Sequence, residues 1–271
     1  ETNKECVNSG LAMGNQNIRA MTIVGSILVV MGNMGKIASC NMVSKLWTSY
    51  AGNPVNGATI DSKIYNDGSI VGGKDINCCI NYLNSILFVF SNSGCMATMS
   101  VTNNAWTGYD GTNSGLLSGP NIFNDGSMVD YSDVRSAVKL NDNIVIGSSD
   151  GYIASINVKN GGITTYKGLS HDVDKVGPGI FYDGSNFGRN AILSLFVDNI
   201  NNSVIFSGGS SFVSTYSIND KDVLRPDISK LYYVGRNSSD NDYLSSLLVQ
   251  LSTETLKEYK ALYPPRDIEN V

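Results

Sequence analysis

Short runs of apolar residues alternate with turn-forming residues along most of the chain. In one stretch the runs occupy 135–140, 143–147, 152–158 and 163–166. The turns between them contain Asn, Asp, Ser and Gly, which supply the positive φ angles that tight hairpins require. The pattern predicts successive antiparallel strands and no substantial helix before residue 252.

The strand pattern repeats with a period of about 58 residues. Three copies of one turn read NDGSIV, NDGSMV and YDGSNF, and they place Asp67, Asp125 and Asp183 at intervals of 58 residues. A second block recurs with nearly the same period and places Trp47 and Trp106 59 residues apart. Four antiparallel strands repeated at this period indicate the blades of a β-propeller.

We therefore expect an all-β propeller of five blades, with four as the alternative count. Four copies of the repeat are visible in the 271 residues, and the fifth has to be assembled from the ends of the chain. Residues 243–250 resemble the first strand of the fourth copy, and residues 6–8 are expected to help close the ring. The chain is thus divided into a propeller over 1–251 and an appendage over 252–271.

The appendage departs from the β pattern. Residues 252–255 can cap a short helix, and the prolines at 264–265 stop it. Its apolar side chains form one stripe, which consists of Leu256, Tyr259, Leu262 and Tyr263. We expect this stripe to contact another chain of an assembly, or the first blade. Deletion of 252–271 should then leave a folded, β-rich protein that fails to assemble.

The second block resembles the Asp-box repeat of sialidase-type propellers. GKIAS at 35–39 followed by WT at 47–48 fits the outline of that repeat, and GCMAT at 94–98 followed by WT at 106–107 fits it less closely. The corner Asp of the family is absent from the first two copies, with Asn-Met-Val at 41–43 in the first. The resemblance implies the propeller fold. Degenerate repeats of this style are similar to those of bacteriophage tail and receptor-binding proteins.

Sialidase chemistry requires an arginine cluster, a Tyr nucleophile polarised by a Glu, and an Asp acid. No Glu occurs between residues 6 and 253, and His171 is the only histidine. The recurring Asp-Gly turns each offer one carboxylate, fewer ligands than calcium takes. We therefore expect no catalytic site, no metal and no other cofactor.

Two kinds of side chain are candidates for binding a ligand. They are Arg19, Arg135, Trp47, Tyr50, Trp106 and Tyr109. The two arginines occupy equivalent first-strand positions and could face one axial ligand, although bonds to blade carbonyls are the simpler interpretation. The aromatic corners could form a sugar platform, although packing between blades is the simpler interpretation.

Charge and hydropathy bear on the partners. Charged residues make up 16% of the chain, the net charge is −5, and Lys and Arg are scattered singly, whereas nucleic-acid binding needs clustered cations. No apolar run reaches the roughly 18 residues that span a bilayer. Other structural proteins, a cell-surface receptor, a glycan or further copies of this chain remain as expected partners.

These features favour a non-enzymatic structural or recognition component of a virion, most simply phage tail machinery made in the host cytoplasm. The uncharged surface and a start at Glu1 without a leader sequence support this interpretation. The alternative is a carbohydrate-binding propeller lectin, secreted or at the cell surface. A degenerate glycosidase using Asp pairs is the third hypothesis.

Overall fold

The computed structural model of this protein describes residues 10–55, 57, 59–114, 117–185, 189–198, 203–209, 212–217, 232–234 and 247–248. Within these ranges β-strands dominate, and the helices are 3₁₀ helices of three residues. None of the helices described is long and apolar enough to cross a membrane. The expectation of an all-β protein is confirmed.

The strands form four sheets, and each sheet is one blade. Blade 1 contains β1 (Ile18–Val24), β2 (Ile27–Gly32), β3 (Ile37–Asn41) and β4 (Trp47–Thr48). Blade 2 contains β5 (Ile76–Tyr82), β6 (Ile86–Ser91), β7 (Cys95–Ser100), β8 (Ala105–Thr107) and β9 (Asn113–Ser114), with β10 (Asn124–Asp125) beside β7.

Blade 3 contains β11 (Val134–Leu140), β12 (Asn143–Ser148), β13 (Tyr152–Asn157) and β14 (Ile163–Thr164), with β15 (Tyr182–Asp183) beside β13. Blade 4 contains β16 (Ile192–Asp198), β17 (Ser203–Gly208), β18 (Phe212–Ser217), β19 (Tyr232–Val234) and β20 (Leu247–Leu248). The 3₁₀ helices are Leu11–Met13, Asn33–Gly35, Ser69–Val71, Asn92–Gly94 and Ser127–Val129.

The blade count among the described residues is four, which matches the alternative count rather than the expected five. Part of the segment 243–250, from which a fifth blade was to begin, forms β20. This strand pairs with β19 and so extends the sheet of blade 4. The segments 6–8 and 252–271 lie outside the described residues, as do Leu256, Tyr259, Leu262 and Tyr263.

Neighbouring blades pack face to face, with β1 beside β5, β5 beside β11 and β11 beside β16. A sheet between two others has both faces buried, and its strands therefore read as continuous apolar runs. In β6, Leu87 and Val89 pack in the core shared with blade 1, whereas Phe88 and Phe90 pack in the core shared with blade 3. All four side chains are fully buried.

The recurring Asp-Gly turns join each blade to the blade before it. Asn66 forms an antiparallel bridge with Ile37 of blade 1, and its Oδ1 accepts a hydrogen bond from the N–H of Gly68 at 2.8 Å. Gly68 has a φ of 109°, and a Cβ there would lie 2.0 Å from the carbonyl oxygen of Met34. Gly126, one period later, has a φ of 115° and meets the preceding blade in the same way. Glycine is therefore required at this junction.

A carboxylate just before the first strand makes a second link between blades. Asp75 Oδ1 accepts a hydrogen bond from the N–H of Met34 in blade 1 at 2.9 Å. Asp133 Oδ1 accepts one from the N–H of Ser93 in blade 2, also at 2.9 Å. Because each donor and each acceptor recurs with the blade period, the sequence repeat specifies this junction as well as the blade.

Candidate functional site

Apolar side chains border a groove beside the first strands of blades 1 to 3, called here the inner-strand groove. Its volume is about 620 Å³. The lining includes Met21, Ile23, Leu28, Cys79, Ile80 and Lys139. Met21 and Ile23 of β1 are 66% and 52% exposed. Neighbouring apolar side chains that remain exposed indicate a contact surface.

Blade 4 also carries exposed apolar side chains. Phe196 of β16 is 61% exposed, and Ile205 and Val213 on the adjoining strands are half-buried. The residues at the positions of Ile205 and Val213 in blade 3 are Val145 and Ile153, which are almost completely buried in the core shared with blade 4. Blade 4 covers this face of blade 3. Among the described residues, no further sheet covers the corresponding face of blade 4, and Phe196 remains exposed there.

The two candidate arginines each contact a carboxylate. Arg19 Nη2 lies 3.1 Å from Asp75 Oδ2, and its Nε donates a hydrogen bond to Asn33 Oδ1. Arg135 Nη2 lies 3.1 Å from Asp133 Oδ2. The first ion pair joins blade 1 to the residue that precedes β5, whereas the second is local to blade 3. Both guanidinium groups are about two-fifths exposed, so each keeps contact with solvent.

The two candidate tryptophans are core side chains. Trp47 is 5% exposed and Trp106 is 3% exposed. Trp106 packs in the core between blades 1 and 2, and Trp47 packs on the opposite side of blade 1. Among the described residues, neither indole Nε1 has a hydrogen-bond partner. A buried donor without a partner costs about 1–3 kcal/mol, which a water or ligand acceptor would recover.

Tyr50 and Tyr109 connect the outer strand of a blade to the turn before its first strand. The N–H of Tyr50 donates to the carbonyl of Ala12 at 2.9 Å, and that of Tyr109 donates to the carbonyl of Ile70 at 2.9 Å. Lys36 Nζ lies 3.9 Å from the centroid of the Tyr50 ring, within reach of a cation–π interaction. Both tyrosines are half-buried, so their position is fixed by the fold while part of each ring meets solvent.

A cleft of about 710 Å³ lies between blades 1 and 2, called here the interblade cleft. Its lining includes Tyr50, Lys63, Tyr65, Asp67, Asn104 and Trp106. The structure therefore brings Tyr50 of blade 1 together with Trp106 of blade 2. The sequence suggested Trp47 with Tyr50 and Trp106 with Tyr109, and each of these pairs belongs to a single blade. Neither Trp47 nor Tyr109 is among the described lining residues of the cleft.

Sequence reasoning missed three polar residues of this cleft. Lys63 and Tyr65 precede the Asp-Gly turn, and Asn104 lies at the corner before β8. One signal was available, because an aromatic residue recurs at Tyr65, Phe123 and at position 181 with the period of 58 residues. The period alone could not show that the segment carrying Lys63 and Tyr65 folds beside Asn104, at the corner before β8.

The recurring aspartates act within their own turns. Asp67 Oδ1 accepts a hydrogen bond from the N–H of Ser69 at 3.0 Å, and Asp125 accepts one from Ser127 at 3.0 Å. Hydrogen bonds from the Ser69 side chain and backbone lower the pKa of Asp67, which is anionic at neutral pH. Within the described ranges, no group of three His, Cys, Asp or Glu side chains is arranged to hold a metal ion.

The Cys79 thiol borders the inner-strand groove, and burial raises its pKa to about 12. Only about one thiol in ten thousand is then ionised at pH 8, compared with roughly a quarter for an unperturbed cysteine. Alkylation of Cys79 by iodoacetamide at pH 8 should be on the order of a thousandfold slower in the folded protein than in guanidinium chloride. Peptide mass spectrometry measures both rates, and equal rates would contradict the raised pKa of this half-buried thiol.

The raised pKa also links Cys79 to stability. The thiol of the unfolded chain ionises near pH 8.5, well below the folded value of about 12. The contribution is complete below pH 8.5 and is lost as the pH rises towards 12. A Cys79→Ala variant should therefore lose less stability than the parent between pH 8 and pH 10, as measured by urea unfolding.

The described residues form a β-propeller-like arrangement of four blades. No family model matches the chain, and no curated protein matches it. Solved structures similar to it include the computationally designed Ika4 protein, with 13% identity and a TM-score of 0.44 over 74% of this chain and 91% of that one.

Another similar structure is the extracellular domain of a putative hybrid two-component system from B. thetaiotaomicron. Its identity to this chain is 16% and its TM-score is 0.48, over 82% of this chain and 22% of that one. A third structure is described as the extracellular domain of a putative one-component system from the same organism. It is 15% identical to this chain, with a TM-score of 0.45 over 82% of this chain and 22% of that one. This chain therefore spans about a fifth of the length of these extracellular domains.

Proposed function

We propose that this protein is a non-enzymatic recognition component of a virion, most simply of phage tail machinery, and that its propeller binds other structural proteins of the assembly. The supporting observation is the apolar surface at the two ends of the blade series. Met21 and Ile23 on the first inner strand and Phe196 on the last one are more than half exposed. Covering such side chains with a partner removes apolar area from water, at about 25 cal/mol per Å².

The virion assignment rests on composition and on the style of the repeats. The corner after the third strand is closed by an asparagine side chain in blades 1 and 3. Asn41 Oδ1 accepts hydrogen bonds from the N–H groups of Val43 and Ser44, and Asn157 caps the equivalent corner of blade 3. An amide oxygen serves this turn as well as a carboxylate does. These two corners are therefore formed without a charged side chain, in agreement with the low charge of the chain.

A non-enzymatic role agrees with the use of the recurring carboxylates. Asp67 and Asp125 accept hydrogen bonds inside their turns, and Asp75 and Asp133 accept them across the blade junctions. These groups stabilise the fold, and one oxygen of each, Oδ1, is engaged in these hydrogen bonds. Purified protein should release no fluorophore from a panel of 4-methylumbelliferyl glycosides, and turnover that an Asp→Asn variant abolished would contradict this part of the proposal.

The partner-binding role is tested on particles of the virus that, under this proposal, encodes the chain. An antibody raised against the purified chain should label the particles in immunogold electron microscopy, and the chain should sediment with them in a density gradient. Recombinant Phe196→Glu protein should fail to join particles on which the parent protein is retained. Val43→Glu is the matched control, because Val43 is 79% exposed in an outer turn.

Two outcomes would contradict the proposal. In the first, the chain remains at the top of the gradient and the particles are not labelled. In the second, the Phe196→Glu and Val43→Glu proteins are retained equally, which would exclude the exposed face of blade 4 as the contact surface. Circular dichroism of both variants establishes that the blades are intact before the comparison is made.

A further inference from the structure

The interblade cleft differs from the cleft one period further along the propeller. The second cleft, between blades 2 and 3, has a volume of about 350 Å³, half that of the first. Its lining has Phe123 where the first has Tyr65, and Ile163 where the first has Trp106. At these two positions the first cleft therefore has rings that bear a hydroxyl or an N–H group, whereas the second has apolar side chains. The polar lining of the second cleft comes from other positions, Asn121, His171, Asp172 and Lys175.

Three aromatic residues of the first cleft combine apolar area with hydrogen-bonding groups. Tyr50 and Tyr65 are half-buried, so each ring is held in place by packing while part of it faces solvent. Trp106 is 97% buried in the wall, and its Nε1 has no partner among the described residues. Trp47 shares this unpaired donor but does not line the cleft. Trp106 lines the cleft, and an acceptor that reached its Nε1 from there would satisfy this donor.

The polar side chains define the charge of a suitable ligand. Lys63 contributes one positive charge and Asp67 one negative charge, and no arginine is among the described lining residues. Asn104 contributes an amide, which both donates and accepts hydrogen bonds. A ligand with an apolar face and several hydroxyl groups fits this set, whereas an anionic ligand would meet one cation and one carboxylate.

We infer that the interblade cleft binds a neutral saccharide, with the sugar ring packed against Tyr50 and Tyr65. Its hydroxyls would be bonded by Asn104, Asp67, the phenol of Tyr65 and the indole N–H of Trp106. Sugar rings have apolar C–H faces that pack on aromatic rings, and their hydroxyls pair with amides and carboxylates. This site is separate from the inner-strand groove and from Phe196. A receptor glycan would therefore be bound in the interblade cleft, while the inner strands contact other proteins.

The test uses the full chain on an array of neutral, sialylated and sulfated glycans, followed by titration calorimetry with the neutral glycan that binds best. Tyr65→Phe and Asn104→Gly introduce the residues that the next cleft already has, Phe123 and Gly161. Both positions 104 and 161 have positive φ, 58° and 72°, so the glycine fits the backbone. Each variant should bind the glycan about tenfold more weakly, because a hydrogen bond to the ligand is removed.

Tyr109→Phe is the matched control, since Tyr109 is the blade 2 counterpart of Tyr50 and is absent from the described lining of the cleft. Its affinity should equal that of the parent. Trp106→Phe should also weaken binding while keeping an aromatic ring in the wall. The inference is overturned if no neutral glycan binds, if only sialylated or sulfated glycans bind, or if Tyr65→Phe and Tyr109→Phe have the same effect. The Phe196→Glu protein should still bind the glycan, so a failure of particle binding is distinguishable from a failure of this site.

Discussion

Replacement of Gly68 with alanine is expected to lower the free energy of unfolding by at least about 3 kcal/mol. The φ of 109° is unfavourable for any residue with a Cβ, and that Cβ would lie 2.0 Å from the carbonyl oxygen of Met34. The contact is with backbone, so the two blades must separate to relieve it. Urea unfolding followed by circular dichroism measures the change.

Gly73→Ala is the matched control for this substitution. Gly73 also has a positive φ, of 71°, but a Cβ there would have no neighbour within 4 Å. Its cost should be limited to the left-handed backbone conformation, about 1 kcal/mol. Equal losses for the two variants would mean that conformational strain alone is at work and that the blade junction at Met34 is not tightly packed.

Phe88→Ala is expected to destabilise the protein by about 3–5 kcal/mol. Phe88 lies in β6, is fully buried and packs in the core between blades 2 and 3. Its truncation leaves a cavity that the neighbouring sheets cannot fill, because both faces of blade 2 are fixed by packing. Thermal and urea unfolding both report the loss.

The same truncation at Phe196 provides the comparison. Phe196 is 61% exposed in the single chain, so Phe196→Ala should cost less than about 1 kcal/mol. A loss at Phe196 as large as that at Phe88 would show that this ring is buried in the isolated protein. That result would remove the main support for a partner on blade 4.

Much of the fold could be predicted because its local signals repeat. The spacing of Asp67, Asp125 and Asp183 indicated the blade period, and alternating turns and apolar runs indicated antiparallel hairpins. The blade count could not be obtained in the same way. Residues 247–248 have the composition of a new strand, but they pair with β19 because an outer edge strand offers unpaired backbone groups to any neighbouring segment.

Four properties follow directly from the amino-acid sequence: the period, the β-strand content, the glycines of the junctions and the absence of a Glu from residues 6 to 253. These properties depend on residues that are close in the chain or related by the repeat. The packing of the blades is needed to bring Tyr50 of one blade and Trp106 of the next into a common cleft. Packing also leaves Phe196 exposed while it buries Phe88. The repeat indicates where neighbouring blades join, but exposure and proximity also depend on which sheet faces cover one another, and that is decided only when the blades pack.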